Sequence, residues 1–587
     1  MSPSLVPEPV LPSPQSILDD IHARFQLGYY YHSSDQIALT SLTQVFVKEF
    51  AQGLEKYGED MAMVPTYVTG VPDGSETGTF LSLDLGGTNL RVCQVTLLGN
   101  KSSTSSLNDI HTLSPSPSNR GGEFELRQQK YKVSETLKGG EASVLFDYLA
   151  DSVDAFLTMH PPESPSPEMH LSASETEIGH GSAAIPLGLT FSFPVSQTSL
   201  DSGEILTWTK GFSAKNAIGK DVVRLLQDAF DRKHIHVKCV ALVNDTVGAL
   251  LSRAYTSGGC ILGAIFGTGT NGAYVEKISR IPKLQEQRQA QGKGASRGKQ
   301  EEEGEYMVVN TEWGAFNNSR THLPTTPYDA TLDRTSINPR FQAFEKFISG
   351  MYLGELTRIV LVSLIDAFPY SSSNAVLFKG KVTPTLNTQW GLDTSVLSEI
   401  EVAWAEGVGG RAEVVLEHDN PVPNWESLTA LQASHISSDA NTQDKRLLTR
   451  LERVRQVVVS KLGYEDGDVG LRDAAILRWA SHLIARRAAL LSGVAVAAVL
   501  VQTGRAGYIA DSHSHINNEY PKDEKIGVGV DGSLIQFYPH FETHMRSSLR
   551  TVVGREVEER VVIGLAKDGS GVGAALCALQ ALKQGVV

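Results

Sequence analysis

The stretch LSLDLGGTNLRV contains one carboxylate, Asp84, within an otherwise apolar strand pattern. Gly86 and Gly87 follow it, and glycine permits backbone geometry that other residues avoid. Thr88 and Asn89 then add polar side chains before a second strand pattern begins. A tight hairpin turn explains the glycines, but it does not explain an aspartate at the tip of an apolar strand. Asp84 is therefore the first candidate for a chemical role.

A second glycine-rich turn lies in ILGAIFGTGTNGAYVE, and its pattern is similar to the first. The letters GTGTNG match the GxGxxG dinucleotide motif, but that motif needs a following helix whose N-terminus binds the pyrophosphate. The letters that follow, AYVEK, form a strand pattern, so a dinucleotide fold is excluded. A hairpin without a ligand remains possible, as does a turn whose amides and hydroxyls bind phosphate oxygens. The candidate residues here are Gly267, Thr268, Gly269 and Asn271.

Two further motifs place polar residues where strands end. VALVNDTVGALL sets Asn244 and Asp245 where a buried strand gives way to a helix. Aspartate is a common N-cap there, although strand ends in α/β folds also face the ligand crevice. The segment LGLTFSFP…WTKGF contains Ser192, Thr209 and Lys210, which an ordinary surface loop would also explain.

Two glutamates stand among apolar neighbours, Glu312 in VVNTEWGAF and Glu345 in FQAFEKFISG. For Glu345, a solvated helix face is the alternative explanation. Near the C-terminus, VGVDGS places Gly532 and Ser533 in a turn after another strand, and KDGSGVGAAL leads into an amphipathic helix. Free amides at the start of that helix could bind an anion, and helix capping would explain the glycines equally well.

Composition limits the possible classes of function. The 587 residues exceed one ordinary core, so two or more domains are expected. A net charge of −14 argues against nucleic acid, whose binding needs a basic surface. The four cysteines include no CxxC pair and the N-terminus lacks a signal-peptide pattern, so we expect a cytoplasmic protein. The apolar run at 488–504 is too short for a membrane span and is expected to be a buried helix.

Periodicity divides the chain into segments. Residues 1–15 are rich in Pro and Ser and are expected to be disordered. Helical patterns follow up to residue 57, and alternating strand patterns begin near residue 80. We expect surface insertions at three polar stretches, 100–122, 159–183 and 284–305. We expect irregular structure at two more, 405–447 and 506–524. The strand–turn–strand and strand–helix units between them predict an α/β fold.

Taken in order, LDLGGTNLRV, FSFP…WTKGF, VNDTVGALL, FGTGTNGAY, NTEWGAF, FEKFISGMYLGEL, VGVDGS and DGSGVGAA closely resemble the hexokinase family. The resemblance spans about residues 16–583, and MVPTYV, LNTQWGLDTSVLS and VLVQTG are most similar to the fungal glucokinase branch. It implies two ribonuclease-H-like lobes of the actin-like ATPase fold with a central cleft. By analogy, residues 16–69 and 244–570 form the large lobe, and residues 70–243 and 571–587 form the small lobe. Each lobe would then contribute one of the two glycine-rich hairpins.

The resemblance implies ATP-dependent phosphoryl transfer to the 6-hydroxyl of glucose, giving glucose 6-phosphate in the first step of glycolysis. Asp245 would take the proton, and Lys210 would stabilise the transferred group. Mg²⁺ would accompany ATP, with Asp84 holding it through water, which would explain the aspartate in the first hairpin. The implied sugar-binding residues are Ser192, Thr209, Lys210, Asn244, Asp245, Glu312 and Glu345. The implied ATP- and phosphate-binding residues are Asp84, Gly86, Gly87, Thr88, Asn89, Arg91, Gly267, Thr268, Gly269, Asn271, Gly532 and Ser533.

The residue chemistry agrees with a sugar, because an ionised carboxylate accepts hydroxyl hydrogen bonds with charge-assisted strength. A catalytically weak sugar-sensing paralogue remains an alternative, as does a kinase that prefers another hexose such as N-acetylglucosamine. A chaperone or actin-like ATPase would lack the FSFP…WTKGF segment. The expected partners are glucose, related hexoses and ATP, without nucleic acid or membrane, for a monomer or homodimer. The family often has a lysine where this chain has Val572, so one cationic nucleotide contact is expected to be missing.

Overall fold

The computed structural model of the chain describes residues 13–28, 33–87, 89–100, 121–161, 184–209, 211–285, 306–367, 375–405, 422–433, 442–509, 520–521 and 523–585. Two large mixed sheets, one of six strands and one of five, organise these residues. Each sheet is flanked by helices and has its own apolar core. The α/β class predicted from the sequence is therefore confirmed.

The two large sheets share one arrangement of strands. In chain order the strands are β1 (Val64–Pro65), β2 (Thr77–Leu85), β3 (Asn89–Gly99), β4 (Glu123–Lys132), β5 (Ile185–Phe191), β6 (Val195–Ser199), β7 (Ser202–Ile205), β8 (Val237–Val243), β9 (Leu262–Phe266), β10 (Thr270–Lys277), β11 (Tyr306–Asn310), β12 (Ile526–Asp531) and β13 (Val561–Leu565). The sheet orders are β4-β3-β2-β5-β8 and β1-β11-β10-β9-β12-β13. In each sheet an antiparallel hairpin, β2–β3 or β9–β10, lies beside two parallel strands. The similarity of the two hairpin sequences thus reflects equivalent places in two sheets.

Helices cover the faces of both sheets. In chain order they are α1 (Pro14–Phe25), α2 (Asp35–Glu55), α3 (Glu135–Gly139), α4 (Ala142–Met159), α5 (Val222–Arg232), α6 (Asp245–Ser257), α7 (Pro327–Thr335), α8 (Ala343–Ile348), α9 (Gly350–Asp366), α10 (Pro384–Asn387), α11 (Thr394–Ala405), α12 (Trp425–Ala433), α13 (Thr442–Leu462), α14 (Leu471–Gln502), α15 (Ser533–Phe537), α16 (Phe541–Val553), α17 (Arg555–Glu558) and α18 (Gly569–Lys583). Helices α4 and α5 pack on one face of the five-stranded sheet, and α6 and α18 pack on the other. Side chains alternate along a strand, so Leu81 and Leu83 pack on the face covered by α4 and α5, and Phe80 packs on the face covered by α6 and α18.

Helix α6 lies between the two sheets and starts where candidate site residues are found. It packs against α18, which covers the five-stranded sheet, and against β9 and β12 of the six-stranded sheet. Its N-terminus follows directly from β8 and carries Asn244 and Asp245. The position of α6 therefore brings these two residues to the junction of the two lobes.

Helix α14 is the one helix in the described part of the chain that is long and apolar enough to cross a membrane. Its most apolar window is 89% buried inside the fold, where α14 packs against α2, α13 and α16. Burial in the core explains its composition. The buried helix predicted from the apolar run at 488–504 is present.

Two boundaries differ from the sequence-based expectation. Helix α1 begins at Pro14, inside the stretch expected to be disordered, because Ser13 caps it and accepts a hydrogen bond from the amide of Ser16. Helix α12 and the start of α13 lie inside 405–447, which was expected to be irregular. Leu428 explains α12, since this side chain is buried in the core of the larger lobe.

Most of the predicted insertions lie outside the described residues, as does the N-terminus up to residue 12. Helices α1 and α2 pack into the core of the six-stranded sheet, and β1 pairs with β11 at the edge of that sheet. Helix α18 packs on the five-stranded sheet. The exact lobe boundaries stay a prediction.

Candidate active site

Asp84 lies near the end of β2, where its carboxylate is buried and paired. Its Oδ2 accepts hydrogen bonds from Arg91 Nε at 3.0 Å and Nη2 at 2.5 Å. Ser570 Oγ, at the start of α18, donates to the same oxygen at 2.9 Å. Arg91 faces Asp84 across the β2–β3 ladder, so strand register creates the pair. These contacts engage Oδ2 and leave Oδ1 as the oxygen that could face a ligand.

The turn after Asp84 closes the β2–β3 hairpin at a partly exposed edge. The amide of Gly86 donates to the carbonyl of Asn89 at 3.0 Å. Gly86 does not have a left-handed φ, and a Cβ added there would meet the Asn89 carbonyl oxygen at an ordinary 3.4 Å. The expected conformational reason for Gly86 is therefore wrong, and close approach of a ligand remains as an explanation. Gly87 is half-buried, and Thr88 lies outside the described residues.

The second glycine-rich turn, between β9 and β10, is packed by neighbouring elements. A Cβ at Gly269 would lie 2.8 Å from Oε2 of Glu345, and one at Gly267 would lie 3.0 Å from Cα of Gly532. The amide of Thr270 donates to Glu345 Oε2 at 3.1 Å. Strand β10 follows this turn, which confirms that it is not a dinucleotide-binding motif. Glu345 is half-buried on α8 and holds the turn, so it does not lie on a solvated helix face.

The start of α6 assigns different roles to two adjacent residues. Asn244 is the N-cap, and its Oδ1 accepts a hydrogen bond from the amide of Thr246 at 3.0 Å. Asp245 is the first helical residue and is half-buried. The alternative in which Asp245 serves as the helix cap is therefore wrong. Its carboxylate is not needed for capping.

A continuous polar network links Asn244 to Glu312. Thr246 Oγ1 lies 2.7 Å from Asn244 Oδ1 and 3.4 Å from Asn310 Oδ1, so it can donate to either oxygen. Asn271 Nδ2 donates to Asn310 Oδ1 at 2.8 Å, and Asn310 Nδ2 donates to Glu312 Oε1 at 2.7 Å. Glu312 has a left-handed backbone, with φ of 55°, which is uncommon for a residue other than glycine and occurs at functional sites. The network joins α6, β10 and β11 into one polar surface.

Aromatic rings fix the segment that contains the remaining sugar-site candidates. Ser192 is buried directly after β5. The rings of Trp208 and Phe212 stack with centroids 5.5 Å apart, and the amide of Phe212 donates to the carbonyl of Thr209 at 3.0 Å. The stacked rings and this turn position Thr209 beside the five-stranded sheet. Lys210, between them, lies outside the described residues.

A cavity of about 530 Å³ opens beside the second glycine-rich turn. Thr268 and Ser533 line it together with apolar side chains, among them Trp390, Leu392 and Leu534. Gly532, with φ of 114°, ends β12 next to Gly267, and this brings Ser533 close to the turn. The cavity offers apolar surface beside a turn whose backbone amides and hydroxyls could bind phosphate.

Asp531, at the end of β12, is a site carboxylate that sequence reasoning did not select. Its Oδ1 accepts from the amide of Gly532 at 2.7 Å and from Gln536 Nε2 at 2.6 Å. Burial raises the pKa of Asp531, and the negative charge of Asp245 raises the pKa further. The end of β12 and the start of α6 are therefore close enough for their carboxylates to interact.

Comparison with known proteins identifies the family of the chain. Two family models, both described as hexokinase, match residues 30–255 and residues 261–432 with 423–580. The chain belongs to the hexokinase family. A glucokinase from Aspergillus niger is 37% identical over 92% of this chain and 93% of its own length. Hexokinase-2 from Schizosaccharomyces pombe is 35% identical, also over 92% of this chain and 93% of its own length.

A solved structure supports the same assignment. The hexokinase from Schistosoma mansoni complexed with glucose has a TM-score of 0.67 and 29% identity, covering 97% of this chain and 100% of that chain. The predicted two-lobed, actin-like fold is confirmed. Hexokinases are phosphotransferases that act on an alcohol group, and this chain is one of them.

In this hexokinase, the structure joins Asn244, Asn271 and Glu312 by hydrogen bonds and sets Glu345 on the same glycine-rich turn. Thr246 and Asn310, which sequence reasoning missed, complete this network. It also missed Ser570, which bonds Asp84, and Asp531 at the end of β12. Thr246 follows Asp245 directly, and Asn310 lies two residues before Glu312. Proximity to a candidate residue is the sequence signal that could have identified both. Val572, where the family often has lysine, is fully buried in the apolar core and presents no polar group to the cleft.

Proposed function

We propose that this hexokinase transfers the γ-phosphoryl group of ATP to the 6-hydroxyl of glucose, and of related hexoses such as mannose. The polar network from Asn244 to Glu312 carries the proposal, because it lies beside the glycine-rich turn that Glu345 holds. A surface of amides and carboxylates suits a ligand made of hydroxyl groups, since ionised carboxylates accept such hydrogen bonds strongly. The names of the fungal relatives support the same reaction.

The proposed sugar site takes groups from both lobes. Asn244, Glu312 and Glu345 bind hydroxyls from the side of the six-stranded sheet. Ser192, Thr209 and Lys210 reach the sugar from the side of the five-stranded sheet. Binding between lobes orients the 6-hydroxyl and removes water, which would otherwise compete as phosphoryl acceptor.

Asp245 is the proposed general base. A sugar hydroxyl is a weak nucleophile at neutral pH, and a carboxylate within hydrogen-bond reach takes its proton as the new bond forms. Asn244 already caps α6, so the carboxylate of Asp245 is available for this role. Lys210, Thr268 and the turn amides stabilise the charge on the transferred group.

The proposed cofactor is Mg²⁺ bound with ATP. Among the described residues, no group of three or more His, Cys, Asp or Glu side chains could hold a metal ion. This fits Mg²⁺, which in kinases is bound mainly by phosphates and water with one or two carboxylates. Asp84 would hold it through water on Oδ1, and the ion would neutralise charge on the phosphates. The cavity lined by Thr268 and Ser533 would take the adenosine.

The cysteines and the net charge bear on the location and the partners of the protein. We propose a cytoplasmic location, supported by four buried cysteines without disulfides. Its partners would be small molecules, without nucleic acid or membrane, and it would act as a monomer or homodimer. The acidic net charge of −14 supports the absence of nucleic acid.

An ATP-coupled assay across glucose, mannose, fructose, glucosamine and N-acetylglucosamine tests the function. We expect turnover on glucose with a product that glucose-6-phosphate dehydrogenase oxidises, and measurable turnover on mannose. Faster turnover on N-acetylglucosamine than on glucose would show that N-acetylglucosamine is the preferred substrate. No turnover on any hexose by folded protein would overturn the proposal in favour of a sugar sensor.

A further inference from the structure

Glu345 depends on a short helix and a strained loop for its position. Helix α8 has six residues and follows a loop in which Arg340 and Gln342 have left-handed φ values of 64° and 54°. Such backbone costs free energy in residues other than glycine and persists only when surrounding contacts hold it. The contacts that hold this loop therefore also decide where Glu345 lies.

Asp333, near the C-terminus of α7, makes several of those contacts. The amide of Ala343, the first residue of α8, donates separately to Asn318 Oδ1 at 3.0 Å. It is 4% exposed, and its Oδ1 and Oδ2 accept hydrogen bonds from the amide of Arg340 at 3.1 and 3.2 Å. Lys346 Nζ donates to Asp333 Oδ1 at 2.7 Å and to the carbonyl of Asn338 at 2.6 Å. Arg320 forms a further short ion pair with Asp333 Oδ1. One carboxylate thus binds both the strained loop and α8.

The positive charges of Arg320 and Lys346 keep the Asp333 carboxylate ionised. Burial alone would raise the pKa of Asp333, but the hydrogen bonds from Arg320 and Lys346 outweigh burial and lower the pKa to about 2. Asp333 is therefore ionised throughout the neutral range. Lys346 is itself 4% exposed, so its ammonium group needs this partner.

We propose that Lys346 and Asp333 are positioning residues for sugar binding: the pair fixes α8 so that the adjacent Glu345 meets both the second glycine-rich turn and the sugar. This inference rests on the proposed role of Glu345 in binding hexose hydroxyls. In the proposed site, neither Lys346 nor Asp333 touches the sugar. Arg320 contacts the same Asp333 oxygen but lies on a different segment from Glu345, so it offers a matched control.

The test compares Lys346→Met with Arg320→Met, each removing one cation from Asp333. In Lys346→Met we expect the KM for glucose to rise about tenfold or more, with kcat changed much less. This is the usual effect of losing a charge-assisted hydrogen bond, here the one proposed between Glu345 and the sugar. Arg320→Met should keep the KM for glucose within about twofold, a change too small for a lost binding contact. Lys346→Arg, which keeps the charge, should recover most of the lost affinity.

Folding is checked by circular dichroism, and glucose affinity is measured directly by calorimetry without ATP. If Lys346→Met does not fold, Lys346→Gln is read in the same way. A wild-type KM in Lys346→Met would overturn the inference, and so would equal KM increases in Lys346→Met and Arg320→Met. If wild-type protein turns over no hexose, the proposed function fails instead, so the two failures are distinguishable.

Discussion

Asp245→Asn removes the proposed base with a minimal change of shape. Asp245 is the first residue of α6 and half-buried, and Asn244 supplies the helix cap. The new amide can still hydrogen-bond the 6-hydroxyl, but it cannot accept a proton near neutral pH. The substitution therefore separates proton transfer from binding and from helix capping.

The expected effect on turnover is large, and the expected effect on stability is small. Positioned proton transfer is worth roughly 10²–10⁴-fold in rate, which corresponds to about 2.7–5.4 kcal/mol of barrier at 1.36 kcal/mol per tenfold. The cap, worth about 1 kcal/mol, stays on Asn244. Loss of the favourable interaction with the helix N-terminus opposes relief of repulsion with Asp531, whose pKa the charge of Asp245 raises. We therefore expect little net change in the melting temperature.

The assay measures kcat and KM for glucose with saturating Mg-ATP, together with calorimetric glucose binding and thermal unfolding. Asp228→Asn, on the exposed face of α5, is the matched acid-to-amide control and should behave as wild type. Asn244→Ala should instead lower stability by about 1 kcal/mol, because it removes the cap. Turnover of Asp245→Asn within about threefold of wild type, far below the general-base expectation, would remove Asp245 from the mechanism.

Three further outcomes are expected. Saturating glucose should lower the radius of gyration in small-angle scattering, because the proposed sugar-binding residues lie on both lobes. An unchanged radius would contradict closure of the lobes on glucose. Arg487→Met should lower the free energy of unfolding by about 3–5 kcal/mol in denaturant titrations, because it leaves the buried Asp329 carboxylate without its bidentate partner. Adding Asp329→Asn should recover much of that loss, and equal stability of the single and double variants would show that the two groups are not coupled. The stability that Asp333 contributes should be complete above about pH 4 and be lost towards pH 2, because folding lowers its pKa from 3.8 to about 2. The difference in denaturation midpoint between wild type and Asp333→Asn should therefore shrink as pH falls from 4 to 2, and a constant difference would contradict this assignment.

The elements that carry the site can be predicted from local sequence, because each is encoded within a short stretch. Alternating apolar residues around Asp84 define strand β2, and the glycines after it define a turn. The change from VALV to an apolar helix pattern defines the start of α6. Neighbours along the chain decide such local structure, so the order of motifs was sufficient to indicate the family and the two-lobed fold.

Which side chains meet depends on the packing of segments that are distant along the chain. Ser570 reaches Asp84 from a position 486 residues away, and Asn310 joins Asn271 to Glu312 because strands β10 and β11 pair in one register. Local pattern also could not tell whether Asn244 or Asp245 caps α6, since both residue types cap helices well. Hydrogen bonds between distant segments depend on strand register and helix packing, which a residue's immediate neighbours do not specify.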